Sequence, residues 1–206
     1  MILEIYGDHL NQRVVDEAVE ILKNGGIIIY PTDTVYGMGC DITQKSAIEK
    51  IYRIKEMPHT KPLSFICADL KDISRYAKVS TVVYREMKRH LPGPYTFVLP
   101  AMNAVPKMVV SRQKTVGLRV PDHELSLAIV RELGNPIVTT SLDISERTFA
   151  SDPLDFIGFF EDKVDLIIHA GPSYNDPSTI VDFTRDIPRL IRAGQGNTSW
   201  IPGDAE

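Results

Sequence analysis

Short apolar runs of strand length alternate with stretches of helical periodicity along nearly all of this 206-residue chain. That interleaving constrains the fold more than any single motif does. A strand that follows a helix must return to a shared sheet to bury its apolar face. Residues 11–24 place Val14, Val15, Ala18, Val19, Ile21 and Leu22 at helical spacing, and Gly25-Gly26 follows where a helix stops. Ile27–Tyr30 reads as a buried strand halted by Pro31. The segment PTDTVYGMGCD at 31–41, punctuated by one proline, two threonines and two glycines, reads as a loop. Further helices are expected over 44–55, 80–90 and 123–133, with a short one over 153–161. Further strands are expected at Leu63–Cys67, Tyr95–Leu99, Val116–Val120, Ile137–Thr140, Leu166–His169, Thr179–Asp182 and Leu190–Arg192. Several late strands have no helix between them, which implies some antiparallel pairing. The expected architecture is α/β: one domain over 1–206, built on a mixed sheet flanked by helices.

Composition bounds the function class. With 43% hydrophobic and 24% charged residues the chain is ordinary globular material. Its two cysteines, Cys40 and Cys67, sit beside apolar residues and are expected to be buried and reduced. No apolar run approaches the ~20 residues of a membrane span. The opening MILEIYGDHL lacks the basic and apolar regions of a signal peptide, so a cytoplasmic location is expected. The net charge is only −4, but its distribution is uneven. Between Lys45 and Arg119 there are 15 Lys+Arg against 5 Asp+Glu, and elsewhere 8 against 22. Such asymmetry is either a local field that attracts anions or a set of solvated helix faces.

Familiar catalytic signatures are absent. No GxxxxGK[ST], GxGxxG, GxSxG, CxxC or HExxH occurs, and Gly37-Met38-Gly39 supplies only two of the glycines of a dinucleotide fingerprint. His9, His59, His90, His123 and His169 are dispersed without metal-ligand spacing, so no metal held by protein side chains is expected. Polar residues do gather at the ends of apolar strands, where open α/β sheets bind ligands. Thr32 and Thr34 follow the first such strand, Thr139, Thr140 and Ser141 end another, and Ser178 and Thr179 open a third. Each alone is as compatible with turn or capping chemistry. Arg119 lies inside the apolar run VGLRV. A charge there must find an anionic ligand or a structural carboxylate, because an unpaired buried charge costs several kcal/mol.

Six segments in order carry a resemblance: YPTDTVYGMGCD at 30–41, KEMPHTKPL at 55–63, GLRVP at 117–121, TTS at 139–141, DPSTIVD at 176–182 and IRAG at 191–194. Together they resemble the YrdC family over about residues 13–196, and in length and ending the chain is similar to its YciO-type branch. The resemblance implies a twisted mixed sheet with a concave, positive face, as in YrdC and RibB-like folds. It implies a nucleotidyltransferase that joins L-threonine, bicarbonate and ATP, with Mg²⁺ carried by the ATP, into threonylcarbamoyl-AMP. That product serves the threonylcarbamoyladenosine modification of tRNA. Carried over, Thr34, Arg119, Thr139 and Ser178 would bind threonine, with Arg119 on its carboxylate. Lys55, Lys61, Thr115, Ser141 and Arg192 would face the ATP, and Lys55 would be catalytic. Alignment and positive charge are what such a transfer needs.

Three positions depart from the family pattern. Met57 stands where an arginine is usual, Asp143 where the SAN motif has asparagine, and Ile66 where some members have histidine. Methionine cannot neutralise phosphate, and an aspartate has the wrong sign for a triphosphate. The same losses mark the YciO-type branch, so the resemblance also admits a protein that binds tRNA or double-stranded RNA with little or no synthesis.

Overall fold

The computed structural model describes residues 1–5, 10–144, 152–174 and 176–202; His9 lies outside them. Ten strands form one sheet: β1 (Ile2–Glu4), β2 (Ile28–Tyr30), β3 (Gly37–Asp41), β4 (Ser64–Ile66), β5 (Tyr95–Pro100), β6 (Thr115–Arg119), β7 (Ile137–Ser141), β8 (Leu166–His169), β9 (Thr179–Asp182) and β10 (Arg189–Arg192). Their order across the sheet is β1-β8-β2-β3-β7-β4-β6-β5-β9-β10. Pairs β1/β8, β2/β8, β4/β6 and β5/β9 are parallel and the rest antiparallel, so the mixed sheet expected from the sequence is what forms.

Helices α1 (Gln12–Lys23), α2 (Lys45–Ile54), α3 (Leu70–Tyr76), α4 (Thr81–His90), α5 (Glu124–Leu133) and the single turn α6 (Ile157–Phe160) flank it. Helix α1 buries Val14, Val15, Ala18, Val19 and Leu22, the stripe seen in the sequence. Helix α5 is stopped by Gly134 at φ 75°, a left-handed position that a residue without Cβ takes freely. The short helix expected over 153–161 is a 3₁₀ turn, Pro153–Asp155, followed by α6. Helix α3 was not evident from periodicity, but Asp69 caps it by accepting the amides of Lys71 and Asp72 at 2.7 and 2.9 Å.

One correction concerns 31–41. Its second half is not loop but β3, the strand between β2 and β7. Its composition, GMGCD, is poor in strand formers. It is a strand because tertiary contacts need its glycines: a Cβ on Gly39 would lie 2.5 Å from Ile137 Cγ2 and 2.6 Å from the Val138 carbonyl oxygen.

The two faces of the sheet have different fates. Strand side chains alternate between faces, and Ile27, Ile29, Met38, Cys40, Phe65, Phe97, Leu118 and Val138 enter the core covered by α2, α3 and α4. On the other face Ile28, Tyr30, Ile66, Ile137, Leu166 and Ile168 pack under α1 and α5. That cover stops short. The same face continues beyond it as Ser64, Thr139 and Ser141, then Arg119, Thr96, Ile180 and Arg192, which floor a cavity.

Gly39→Ala should cost about 1–3 kcal/mol by overpacking, and thus several degrees of melting temperature for a chain of this size. A thermal melt unchanged from wild type would show that β3 has room to spare.

Candidate functional site

The cavity has a volume of about 530 Å³, within the usual range for small-ligand sites. Its floor presents hydroxyls from Ser64, Thr96, Thr139, Ser141 and Ser178. Its walls come from the turn after β2 (Thr32, Val35, Tyr36) and from the segment Lys55–Leu63 that joins α2 to β4.

Arg119 is the centre of this arrangement. It is 8% exposed, and its Nη2 donates to Asp33 Oδ1 at 2.8 Å and to Thr34 Oγ1 at 3.0 Å. Asp33 Oδ2 also accepts the Asp122 amide at 3.0 Å, so the carboxylate is anchored from two elements. Burial pulls the guanidinium pKa down and Asp33 works against that shift. Arg119 Nε is buried without a hydrogen-bond partner among the described residues. The choice the sequence left open, ligand or structural carboxylate, thus resolves in part: a structural carboxylate accepts from Nη2, and Nε of the cavity-lining residue remains unmatched.

Lys55 ends α2. The next residue, Glu56, adopts φ 51°, and the Glu56 and Met57 amides donate back to Arg53 and Tyr52. This Schellman turn is usually made by glycine, and here it aims Lys55 and Met57 at the cavity. The Lys55 ammonium donates to the carbonyl oxygens of Ser141, at 2.6 Å, and Asp143. Burial lowers its pKa to about 8; Asp143 opposes the shift and Lys61 adds to it. Met57 is part-buried against the apolar core. Arg192, on the edge strand, donates from Nη2 to the Ser178 carbonyl oxygen at 2.7 Å. Its pKa is drawn down by burial and by Arg119, against Asp143.

Of the residues singled out in the sequence, Lys55, Lys61, Arg119, Thr139, Ser141, Ser178 and Arg192 line this one cavity. Thr34 stands one hydrogen bond behind, fully buried against Arg119. Thr115 does not join them. It begins β6, at the opposite end from Arg119, and its hydroxyl lies 2.6 Å from that of Ser111. Sequence reasoning missed Asp33, Tyr30, Ser64 and Thr96. The last two carry a signal in hindsight, since each is a polar residue at an alternate position of an apolar strand.

A family model covering the Sua5, YciO and YrdC proteins, described as telomere recombination, matches residues 20–194. The chain belongs to that family. It is 40% identical to Escherichia coli YciO over 195 residues, 94% of this chain and 95% of that protein. A Haemophilus influenzae protein is also 40% identical, over 198 residues, 95% of this chain and 96% of its own. The crystal structure of E. coli YciO superposes with a TM-score of 0.91, covering 97% of this chain and 98% of that one at 39% identity. P. abyssi Sua5 complexed with L-threonine superposes with a TM-score of 0.88 at 28% identity, covering 94% of this chain and 57% of that one.

Asp33→Ala leaves Arg119 buried and uncompensated and should lower stability by about 3–5 kcal/mol. Converting both partners, Asp33→Ala with Arg119→Met, should recover much of that loss. Urea unfolding decides it: a single-variant cost below about 1 kcal/mol would reduce the pair to surface-type chemistry.

Proposed function

We propose that the cavity binds L-threonine and ATP and, with bicarbonate, forms threonylcarbamoyl-AMP and pyrophosphate. The observation that carries this reading is Arg119: a buried guanidinium held by Asp33 and Thr34, with an unmatched Nε–H, beside the hydroxyls of Thr139 and Ser178. Such a fork suits a carboxylate. The likeness to a Sua5 complexed with L-threonine supports the same ligand.

The threonine nitrogen adds to the carbon of CO₂ and loses a proton, or adds to bicarbonate with loss of water, and either route gives a carbamate. A carbamate oxygen attacks the α-phosphorus, the bond to the bridging oxygen breaks, and pyrophosphate leaves with its electron pair. Arg119, Thr139 and Ser178 hold the amino acid, and Thr34 holds Arg119. Lys61 and Arg192, with Lys55 and Ser141, stand where the phosphates gain charge. Alignment and electrostatics supply most of the catalysis in such transfers.

A second reading is favoured by the nucleotide end. Lys55 spends its ammonium on two main-chain carbonyls, and Met57 and Asp143 offer no cation. Such a site would align a triphosphate poorly, and the protein would then serve by binding tRNA or double-stranded RNA.

The two readings separate in one assay. Purified protein with threonine, bicarbonate, Mg²⁺ and ATP should release pyrophosphate only when threonine is present. Met57→Arg with Asp143→Asn should raise the rate at least about tenfold, equivalent to ~1.4 kcal/mol of regained phosphate stabilisation. No threonine-dependent release from either protein, together with salt-sensitive binding of duplex RNA, would sink the synthase reading.

The rate should also fall as pH rises through about 8, because Lys55 loses its proton there and not near its ordinary value of 10.5. The sign for stability is opposite. Between those two values the unfolded chain holds a proton that the native state has released, so Lys55 contributes increasing stability with pH. A rate constant from pH 7 to pH 9.5 would remove the Lys55 charge from the mechanism.

A further inference from the structure

The unusual strand β3 has a consequence for the cavity. Tyr30 lies on β2 and Thr139 on β7, with β3 between them, yet the Tyr30 hydroxyl donates to Thr139 Oγ1 at 2.9 Å. The ring crosses β3 where the register puts Gly37 opposite Tyr30 and Gly39 opposite Thr139. A Cβ on Gly37 would stand 3.3 Å from Tyr30 Cζ and 3.0 Å from Thr139 Oγ1, and one on Gly39 would stand 3.2 Å from Tyr30 Cε1. The two glycines are thus the passage through which a phenol reaches the cavity floor.

The direction of this bond matters. Tyr30 is fully buried, and burial pushes its phenol well above the ordinary tyrosine range, so it keeps its proton. A threonine hydroxyl has one proton and two lone pairs. By accepting from Tyr30, Thr139 keeps that proton for the cavity it lines. Thr34 is the contrast. It accepts from Arg119 and lies 3.1 Å from Thr32 Oγ1, whose own proton goes to the Val35 carbonyl at 2.7 Å. The proton between the two threonines is therefore that of Thr34, and its hydroxyl is committed inward.

We infer that Tyr30 is a positioning residue: it fixes Thr139 as a hydrogen-bond donor toward the ligand, so the group seated at Thr139 is an acceptor oxygen. Resting on the L-threonine reading of the cavity, that oxygen belongs to the amino acid carboxylate.

Two measurements test this, one of them independent of any ligand. In proton NMR of the full chain, the Tyr30 hydroxyl proton should exchange slowly and show a cross-peak to the Thr139 methyl. A slowly exchanging Thr139 hydroxyl proton directed at Tyr30, with no such Tyr30 signal, overturns the inference. Calorimetric titration with L-threonine should show Tyr30→Phe weakening binding about 3- to 10-fold, the scale of one net hydrogen bond. In a Thr139→Val background the same change should have no further effect, because Tyr30 acts only through that hydroxyl. Penalties that multiply, or a Tyr30→Phe protein that binds as wild type does, refute the positioning role. Absence of L-threonine binding by the wild type instead sinks the ligand assignment, and the NMR result then decides the direction of the bond by itself.

Discussion

The guanidinium of Arg119 is a full charge placed inside a β-sheet, and much of the cavity is organised around keeping it there. An isolated buried charge costs several kcal/mol, so the turn after β2 is tied to it. Asp33 neutralises it, Thr34 accepts from it, Thr32 accepts the Thr34 amide, and the Asp122 amide anchors Asp33 from the far side. These contacts join β6, the turn after β2 and the entry to α5. All of these contacts to the guanidinium are made through Nη2, while Nε is buried without a partner among the described residues. A side chain that the fold must neutralise thus also lines the cavity.

The open floor depends on how far α1 and α5 reach. Where they cover the sheet, the alternating positions are apolar: Ile28, Ile66, Ile137, Ile168. Where they stop, the same parity turns polar within the same strands, from Ile66 to Ser64 and from Ile137 to Thr139 and Ser141. A strand that changes from apolar to hydroxyl-bearing on one face, while the other face stays apolar, marks the boundary between helix-covered sheet and solvent-filled hollow.

Much of this was legible in the sequence. Helical spacing located α1, α2, α4 and α5 to within a residue or two, and the β-rich runs located β2 and β4 to β10. Motif order brought together residues as far apart as Lys55 and Arg192, which share the cavity. What was not legible has physical reasons. β3 is a strand without strand formers, made by the need for bare backbone under Tyr30. Tyr30 reads as the last apolar residue of its run, and nothing local shows that its hydroxyl reaches two strands away. Asp33 looks like a turn residue until the β6 register puts Arg119 beside it. Thr115 belongs to an apparent motif neighbourhood, but a five-residue strand separates its end from the arginine end.

The linear charge asymmetry is the instructive case. Of the 15 cations between Lys45 and Arg119, only Lys55, Lys61 and Arg119 line the cavity, and Asp33 neutralises the last of these. Lys45, Lys50, Arg53, Lys71, Arg75, Arg85, Lys88 and Arg89 ride on α2, α3 and α4, whose apolar stripes pack on the opposite face of the sheet. With Arg192 added and Glu56 and Asp143 counted, the hollow itself holds only a small excess of positive charge. The hollow therefore has no strong long-range field of its own. The cationic helix faces and the hydroxyl floor thus lie on opposite sides of the same sheet.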